Sequence, residues 1–322
     1  MVLSHLMPDR YSADNLRRVL ENPRLLRLEA IGIATRFNAR TTITLESKFG
    51  GPDGVDVIAR DWDNLLILDG CRYDLFANGA EIEGNLRKVR SKASHSGEFM
   101  EANFEGRQLH DTVYVTANPH AYDIDKDVFH AVENLLDDKW DERTQTVSPG
   151  AVVQTAVDVH ERYPEKRLIV HFMQPHFPFL GDTGREFSHR GIDMHREETG
   201  NALNPWLALV SDPELSLETV LKAYEENLEI VVPHVEELVR RLSGKSVVTS
   251  DHGNLIGERG FPIPVKQYGH PRGVRNPGVL DVPWLEIPAR DRRRTVAEPP
   301  ICETKEHDQA AIEERLRALG YA

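Results

Sequence analysis

The chain has 322 residues, 40% of them hydrophobic, with ordinary glycine and proline counts, enough to bury a sizeable core in one large domain or two smaller ones. A formal charge of -13 and a pI near 5.6 oppose non-specific attraction to nucleic acid or to an anionic membrane surface, so an anionic substrate would need local positive charge from a metal or a few arginines. Two cysteines, Cys71 and Cys302, exclude a disulfide framework or a Cys-rich zinc site and point to a reducing, cytoplasmic setting. The opening MVLSHLMPDRYSADNLRR lacks the apolar core of a secretory signal, and no apolar run approaches the roughly 20 residues of a membrane span.

Along the chain, SADNLRRVLENPRLLRLEAIGIATRF reads as helix and TTITLESKFGG as a short strand or a loop. NLLILDG (64–70) is an apolar run closed by Asp-Gly, the look of a buried strand ending at a turn. TVYVTAN (112–118), RLIVHFMQPH (167–176), KSVVTSDHG (245–253) and VPWLEIP (282–288) repeat that shape. Between them DVFHAVENLLDDKW, SPGAVVQTAVDVHERY and LSLETVLKAYEENLEIVVPHVEELVRRLSG carry helical patterns, the last closed by Gly244. The alternation predicts an α/β fold with a mostly parallel central sheet sandwiched by helices. Residues 1–60 form an N-terminal helical or irregular segment, 61–290 the main domain with an irregular excursion over the site at 181–216, and 291–322 a polar linker containing RDRRR followed by a final helix, AAIEERLRALGYA.

Ligands of a mostly parallel sheet bind at the carboxyl ends of its strands, and Asp69, His176, Asp251 and His252 all follow such ends. Two carboxylates and an imidazole suit a divalent cation of the Mn, Zn, Mg or Ca type, and VRSKASHSGEFMEANF offers a hydroxyl from Ser91, Ser94 or Ser96. Ser94 and Ser96 precede a helix beginning near Gly97, where backbone N–H groups and the helix dipole favour an alkoxide and a bound anion. Each residue also has a plainer reading. Asp69 can close an Asx turn and one of the serines can be only an N-cap, whereas Asp251 beside His252 at the end of a buried strand is costly unless paired or metallated. His95, His110, His120, His171, His189, His195 and His234 read as surface or structural, with His171 within a strand and able to face the site.

ILDGCRYDLF resembles the first metal-binding motif of the alkaline phosphatase superfamily in its sulfatase-like branch, and VVTSDHGNLIGERG resembles that branch's later Asp-His-Gly motif. HFMQPHFPF looks like its intervening strand, and YGHPRGVRNPGVLDVPWLEI like the segment with a substrate-side histidine and an edge strand. Four motifs in the family's order span roughly residues 60 to 290. The resemblance implies a three-layer fold in which Asp69, Asp251 and His252 bind a divalent metal, Ser96 or Ser94 is both nucleophile and ligand, and His176 and His270 contact the substrate's oxygens. Arg72 would orient the first aspartate or the anion, with Asp74 as its partner. Cys71 lacks the Cys-x-Pro-x-Arg setting of formylglycine sulfatases, and no Asp-x-x-x-His pair for a second metal occurs between 205 and 250. The nearest pattern is that of one-metal phosphoglycerol and phosphoethanolamine transferases. The implied activity is hydrolysis or transfer of a small-molecule, glycan-linked or lipid-linked phosphate ester, with a sulfate ester hydrolase or a non-catalytic anion-binding protein as alternatives.

Overall fold

The structure is a computed structural model that describes residues 23–50, 53–125, 127–189 and 204–301. Seven strands form the central sheet: β1 (Asn64–Leu68), β2 (Asn85–Arg90), β3 (Leu109–Thr116), β4 (Phe129–Asn134), β7 (Arg167–Phe172), β8 (Ser246–Thr249) and β11 (Asp281–Ile287). Two short hairpins, β5 (Trp140–Asp141) with β6 (Thr146–Val147) and β9 (Leu255–Arg259) with β10 (Lys266–Gly269), stand apart from it. The order is β2-β11-β8-β1-β7-β3-β4, with β8, β1, β7, β3 and β4 mutually parallel and β11 antiparallel to both its neighbours. The expected mostly parallel sheet between helices is therefore present.

β1 lies between β7 and β8, so it is covered on both faces and all five of its residues are buried. Leu66 and Leu68 face a core closed by the Pro149–Arg162 and Leu217–Arg241 helices, while Leu65 and Ile67 face the opposite core of Phe99, Met100, Phe104 and Tyr114. The burial alternates because strand side chains alternate.

Several local expectations are corrected. TTITLESKF continues one helix, Pro23–Phe49, because nothing in it breaks the helix before Gly50, whose φ is +76°. DVFHAVENLLDDKW is not helical: its Phe129–Asn134 part is the edge strand β4, which hydrogen-bonds to β3 and buries Phe129 in the core, a tertiary pairing that overrides local periodicity. Within 181–216 the structure has helices at Asp182–His189 and Pro205–Ser211. The RDRRR run is no free linker. Arg292 binds Asp61 and Asp63, Arg293 donates to the Lys166 carbonyl at 2.5 Å, and residues 296–301 hydrogen-bond to Glu165, His110 and His130. The expected final helix, AAIEERLRALGYA, lies outside the described residues.

Candidate functional site

Asp69 follows β1, and Asp251 and His252 follow β8, so adjacent parallel strands deliver all three to one edge of the sheet. The turn after Asp69 requires glycine: Gly70 has φ +63°, and a Cβ there would stand 3.1 Å from Asn254 Nδ2 and 3.5 Å from the His252 ring. Ser96 is the first residue of the helix Ser96–Asn103, with His95 as N-cap accepting from Gly97 N–H through Nδ1 at 3.2 Å. Ser96 Oγ donates to Asp251 Oδ2 at 2.7 Å and stands 3.2 Å from His252 Nε2 and 3.5 Å from Asp69 Oδ2.

The two serines occupy different surroundings. Ser94 Oγ bonds Glu98 at 3.0 Å and the Pro271 carbonyl at 3.1 Å, away from the carboxylates. Ser91 Oγ donates to the Asp251 backbone carbonyl at 2.5 Å and braces the loop.

His171, read from the sequence as structural yet able to face the site, is fully buried in β7 and joins the cluster. Its Nε2 stands 3.8 Å from Asp251 Oδ2 and 4.0 Å from Asp69 Oδ2 and has no hydrogen-bond partner among the described residues, while Nδ1 meets the Tyr114 hydroxyl at 2.8 Å. Asp69, His171 and Asp251 form a buried group whose ligand atoms all lie within 4.8 Å of one another, and this group can hold a divalent metal. His252 Nε2 is 3.7 Å from Asp69 Oδ1 and 3.5 Å from Asp251 Oδ2. Donor atoms bound about 2.1 Å from one tetrahedral cation stand about 3.4 Å apart, so these separations, too long for direct hydrogen bonds, fit atoms that share a cation. Asn118, which sequence reasoning passed over, follows β3 and donates to Asp69 Oδ2 at 2.6 Å. Its signal was its position, a polar residue just past a strand end like Asp69 and Asp251.

Burial raises the Asp251 carboxyl, but His252, His171, the Gly70 N–H and the Ser96 hydroxyl together hold it below the ordinary carboxylate range. Burial lowers His171 to about 4 and His176 to about 3, and it takes His270 well below 6.5 with help from His252 and His176, so these rings are neutral at neutral pH. Their tautomers are fixed. Nδ1 of His252 faces the Gly253 carbonyl at 2.8 Å and Nδ1 of His176 faces the Phe177 carbonyl at 2.6 Å; an acceptor requires the proton there, leaving the Nε2 lone pair as the second face of each ring. His270 Nδ1 meets Asn254 Oδ1 at 3.0 Å, and Asn254 is oriented by donating Nδ2 to the Gly70 carbonyl at 2.8 Å. Ring centroids of His176 and His270 are 4.9 Å apart and those of His252 and His270 4.6 Å. His95 and His120, also read as surface or structural, stand 4.9 Å apart beside them, with His95 5.7 Å from His270.

Arg72 is not brought to the cluster. Its guanidinium is occupied by both Asp74 oxygens, Glu258 Oε1 and the Asn254 carbonyl, all at 2.6–2.7 Å, so it clamps the Asp69 turn to the 254–258 segment instead of facing an anion. The expected Asp74 partnership is present. Cys71 packs among Leu66, Leu68 and Phe76 with no exposure, and burial pushes its thiol well above the ordinary range. Asp182–His189 is tied down by Thr183, which donates to Glu226 through N–H at 2.9 Å and Oγ1 at 2.6 Å, and Trp206 of Pro205–Ser211 packs beside Gly269, next to His270. His195 and the His189 side chain lie outside the described residues.

Fold and site together define an α/β protein with a buried carboxylate–imidazole–hydroxyl centre at the carboxyl edge of its sheet. No family profile matches the chain, and no curated protein matches it. Among solved structures it is similar to the C-terminal periplasmic domain of EcEptC from Escherichia coli in complex with Zn (12% identity over 74% of this chain and 76% of that one, TM-score 0.46). It is also similar to the integral membrane protein lipooligosaccharide phosphoethanolamine transferase A from Neisseria meningitidis (13% identity, 70% and 47%, TM-score 0.46) and to a protein in the alkaline phosphatase superfamily from Vibrio parahaemolyticus (12%, 72% and 60%, TM-score 0.37). The last belongs to the superfamily that the four sequence motifs resemble. At such distances the likeness transfers neither activity nor substrate. The expectation of a cytoplasmic setting is corrected: the Escherichia coli match is a periplasmic domain and the Neisseria match an integral membrane protein, and a low cysteine count does not fix a compartment.

Proposed function

We propose that the chain is a metal-dependent hydrolase or transferase acting on phosphate esters or phosphodiesters, with Ser96 as nucleophile. The observation that carries this reading is the Ser96 hydroxyl, the first residue of a helix, lying within 3.5 Å of Asp251, His252 and Asp69. Asp69, Asp251, His252 and His171 would hold the cation with Ser96 Oγ. A bound divalent cation would lower the pKa of the serine hydroxyl and offset the charge of a phosphoryl oxygen.

The chain's own residues account for the rest. Asp251 Oδ2 takes the hydrogen bond of the Ser96 hydroxyl and points its proton away from an incoming phosphorus. Ser96 opens the helix Ser96–Asn103, whose dipole favours negative charge beside Oγ. The Ser96 proton passes to solvent as Oγ attacks phosphorus in line, the bond to the leaving oxygen breaks and that oxygen takes up a proton from water, and a phosphoseryl group forms that water or an acceptor hydroxyl resolves. His176 and His270 flank the same space. As neutral Nδ1–H tautomers they offer lone pairs, which suits sharing the proton of a singly protonated phosphate, or a second cation, with the substrate's oxygens. Ser94 supports the helix start, and Arg72 holds the Asp69 turn.

The test is a panel of aryl phosphates, phosphodiesters and aryl sulfates run with chain reconstituted in turn with manganese, zinc, magnesium and calcium, beside Ser96→Ala, Ser94→Ala and Asp251→Ala. Ser96→Ala and Asp251→Ala should abolish turnover and Ser94→Ala should retain it. Cleavage of sulfates alone would move the reading to a sulfate ester hydrolase; no cleavage of any ester, or full activity in Ser96→Ala, would defeat it.

A further inference from the structure

The Pro23–Phe49 helix is attached to the protein by its small residues and shows its large ones to solvent. Ala34, Thr35, Asn38 and Ala39 are buried, whereas Ile33 is 56% exposed, Phe37 52% and Phe49 73%, with Leu26, Ile43 and Leu45 also exposed. Leu26, Ala30, Ile33 and Phe37 follow at helical spacing and line one side. The loop joining β9 and β10 continues this surface. Asn38 donates to the Ile263 carbonyl at 2.8 Å and accepts from the Ile263 N–H at 2.9 Å, and the loop carries Phe261, 66% exposed, and Ile263.

The exposed charge around these apolar side chains is basic. Arg27, Arg40 and Lys48 on the helix and Arg259 and Lys266 on the hairpin are exposed, while Glu29, Glu46 and Glu258, the acids of the same elements, are partly buried, with Glu46 paired to Arg275 and Glu258 to Arg72. Charges beyond about 8 Å are screened at physiological salt, so this local surface, not the net charge of -13, decides what can dock there.

We infer that the stripe of Leu26, Ile33 and Phe37, with Phe261 beside it, binds the surface of an anionic phospholipid bilayer, these side chains in the headgroup–acyl boundary and the arginines and lysines on lipid phosphates. A second copy of the chain fits less well, because a two-fold pairing would place this basic rim against itself. No described helix is long and apolar enough to cross a membrane. The inference is independent of the chemistry at Ser96.

The test is flotation of the full chain with vesicles of phosphatidylcholine alone and of phosphatidylcholine with about 30% phosphatidylglycerol. The chain should float with the anionic vesicles, less so as salt is raised, and weakly or not at all with neutral ones. Arg27→Gln and Arg40→Gln should each weaken partitioning roughly fivefold, and Phe37→Asp or Phe261→Asp at least roughly tenfold. Melting temperatures within a few degrees of wild type would show that the variants are folded. Failure of the wild-type chain to float, equal flotation of Phe37→Asp, or a soluble dimer that Phe37→Asp dissociates would each overturn the inference.

Discussion

Replacing Asp251 by Asn isolates the charge at the proposed metal centre. Asp251 Oδ1 accepts from Gly70 N–H at 3.0 Å and His252 N–H at 2.8 Å, and an Asn in the same rotamer keeps both bonds, whereas Ala would leave buried donors without a partner. What changes is Oδ2, the oxygen facing Ser96 and His171. Asp69 and Asp251 offer ligand atoms within 4.8 Å of each other, and two carboxylates at that distance repel by about 3.5 kcal/mol at an effective dielectric of 20. That relief is outweighed by the lost contacts of the carboxylate with His252, His171 and the Ser96 hydroxyl, which hold its pKa below the ordinary range and so favour the ionised form in the fold, and the metal-free Asp251→Asn chain should melt below the wild-type temperature. With metal the gap widens. A cation supplied at 100 times its Kd stabilises the wild-type chain by about 2.7 kcal/mol, roughly 5 °C in a chain of this size, and the variant should gain none of it. Calorimetry after chelation, with the four metals added back in turn, reads both effects. A metal-free variant that melts above wild type, or one that keeps the wild-type metal shift, would refute the argument.

Ser94→Ala should cost about 1–2 kcal/mol of stability through its lost bonds to Glu98 and the Pro271 carbonyl, measured by denaturant unfolding, without removing metal binding. His160 gives a pH dependence remote from the site: burial, with Arg293 beside it, lowers the imidazole from 6.5 to about 4. The unfolded chain takes that proton near 6.5 and the folded chain only near 4, so the contribution to stability is complete above pH 6.5 and declines as pH falls toward 4. His160→Gln should flatten that part of the melting-temperature profile, and an unchanged slope would contradict the assignment.

What the sequence by itself determined lies mostly in β1, β7, β8 and β11, whose apolar runs are continuous because both faces of a parallel sheet are covered. Asp69, Asp251, His252 and the Ser94/Ser96 pair were legible for the same reason, since polar residues ending such runs stand out. Phe129–Asn134 escaped because its side-chain pattern fits a helix equally well, and only the hydrogen bonds offered by β3 make it a strand. His171 stayed open between a structural role and the site because it lies inside a run and not after one. The register that sets it beside Ile67 and Thr116 turns its ring toward the two aspartates, and no local signal carries a register. Arg72 could be expected from its motif to orient the first aspartate or the anion, and Glu258, far along the chain, together with Asp74 makes it a clamp on the Asp69 turn. The residues able to do chemistry were written in the sequence. Which of them share one space was decided only by tertiary structure, because strand order and register bring together atoms that the chain holds far apart.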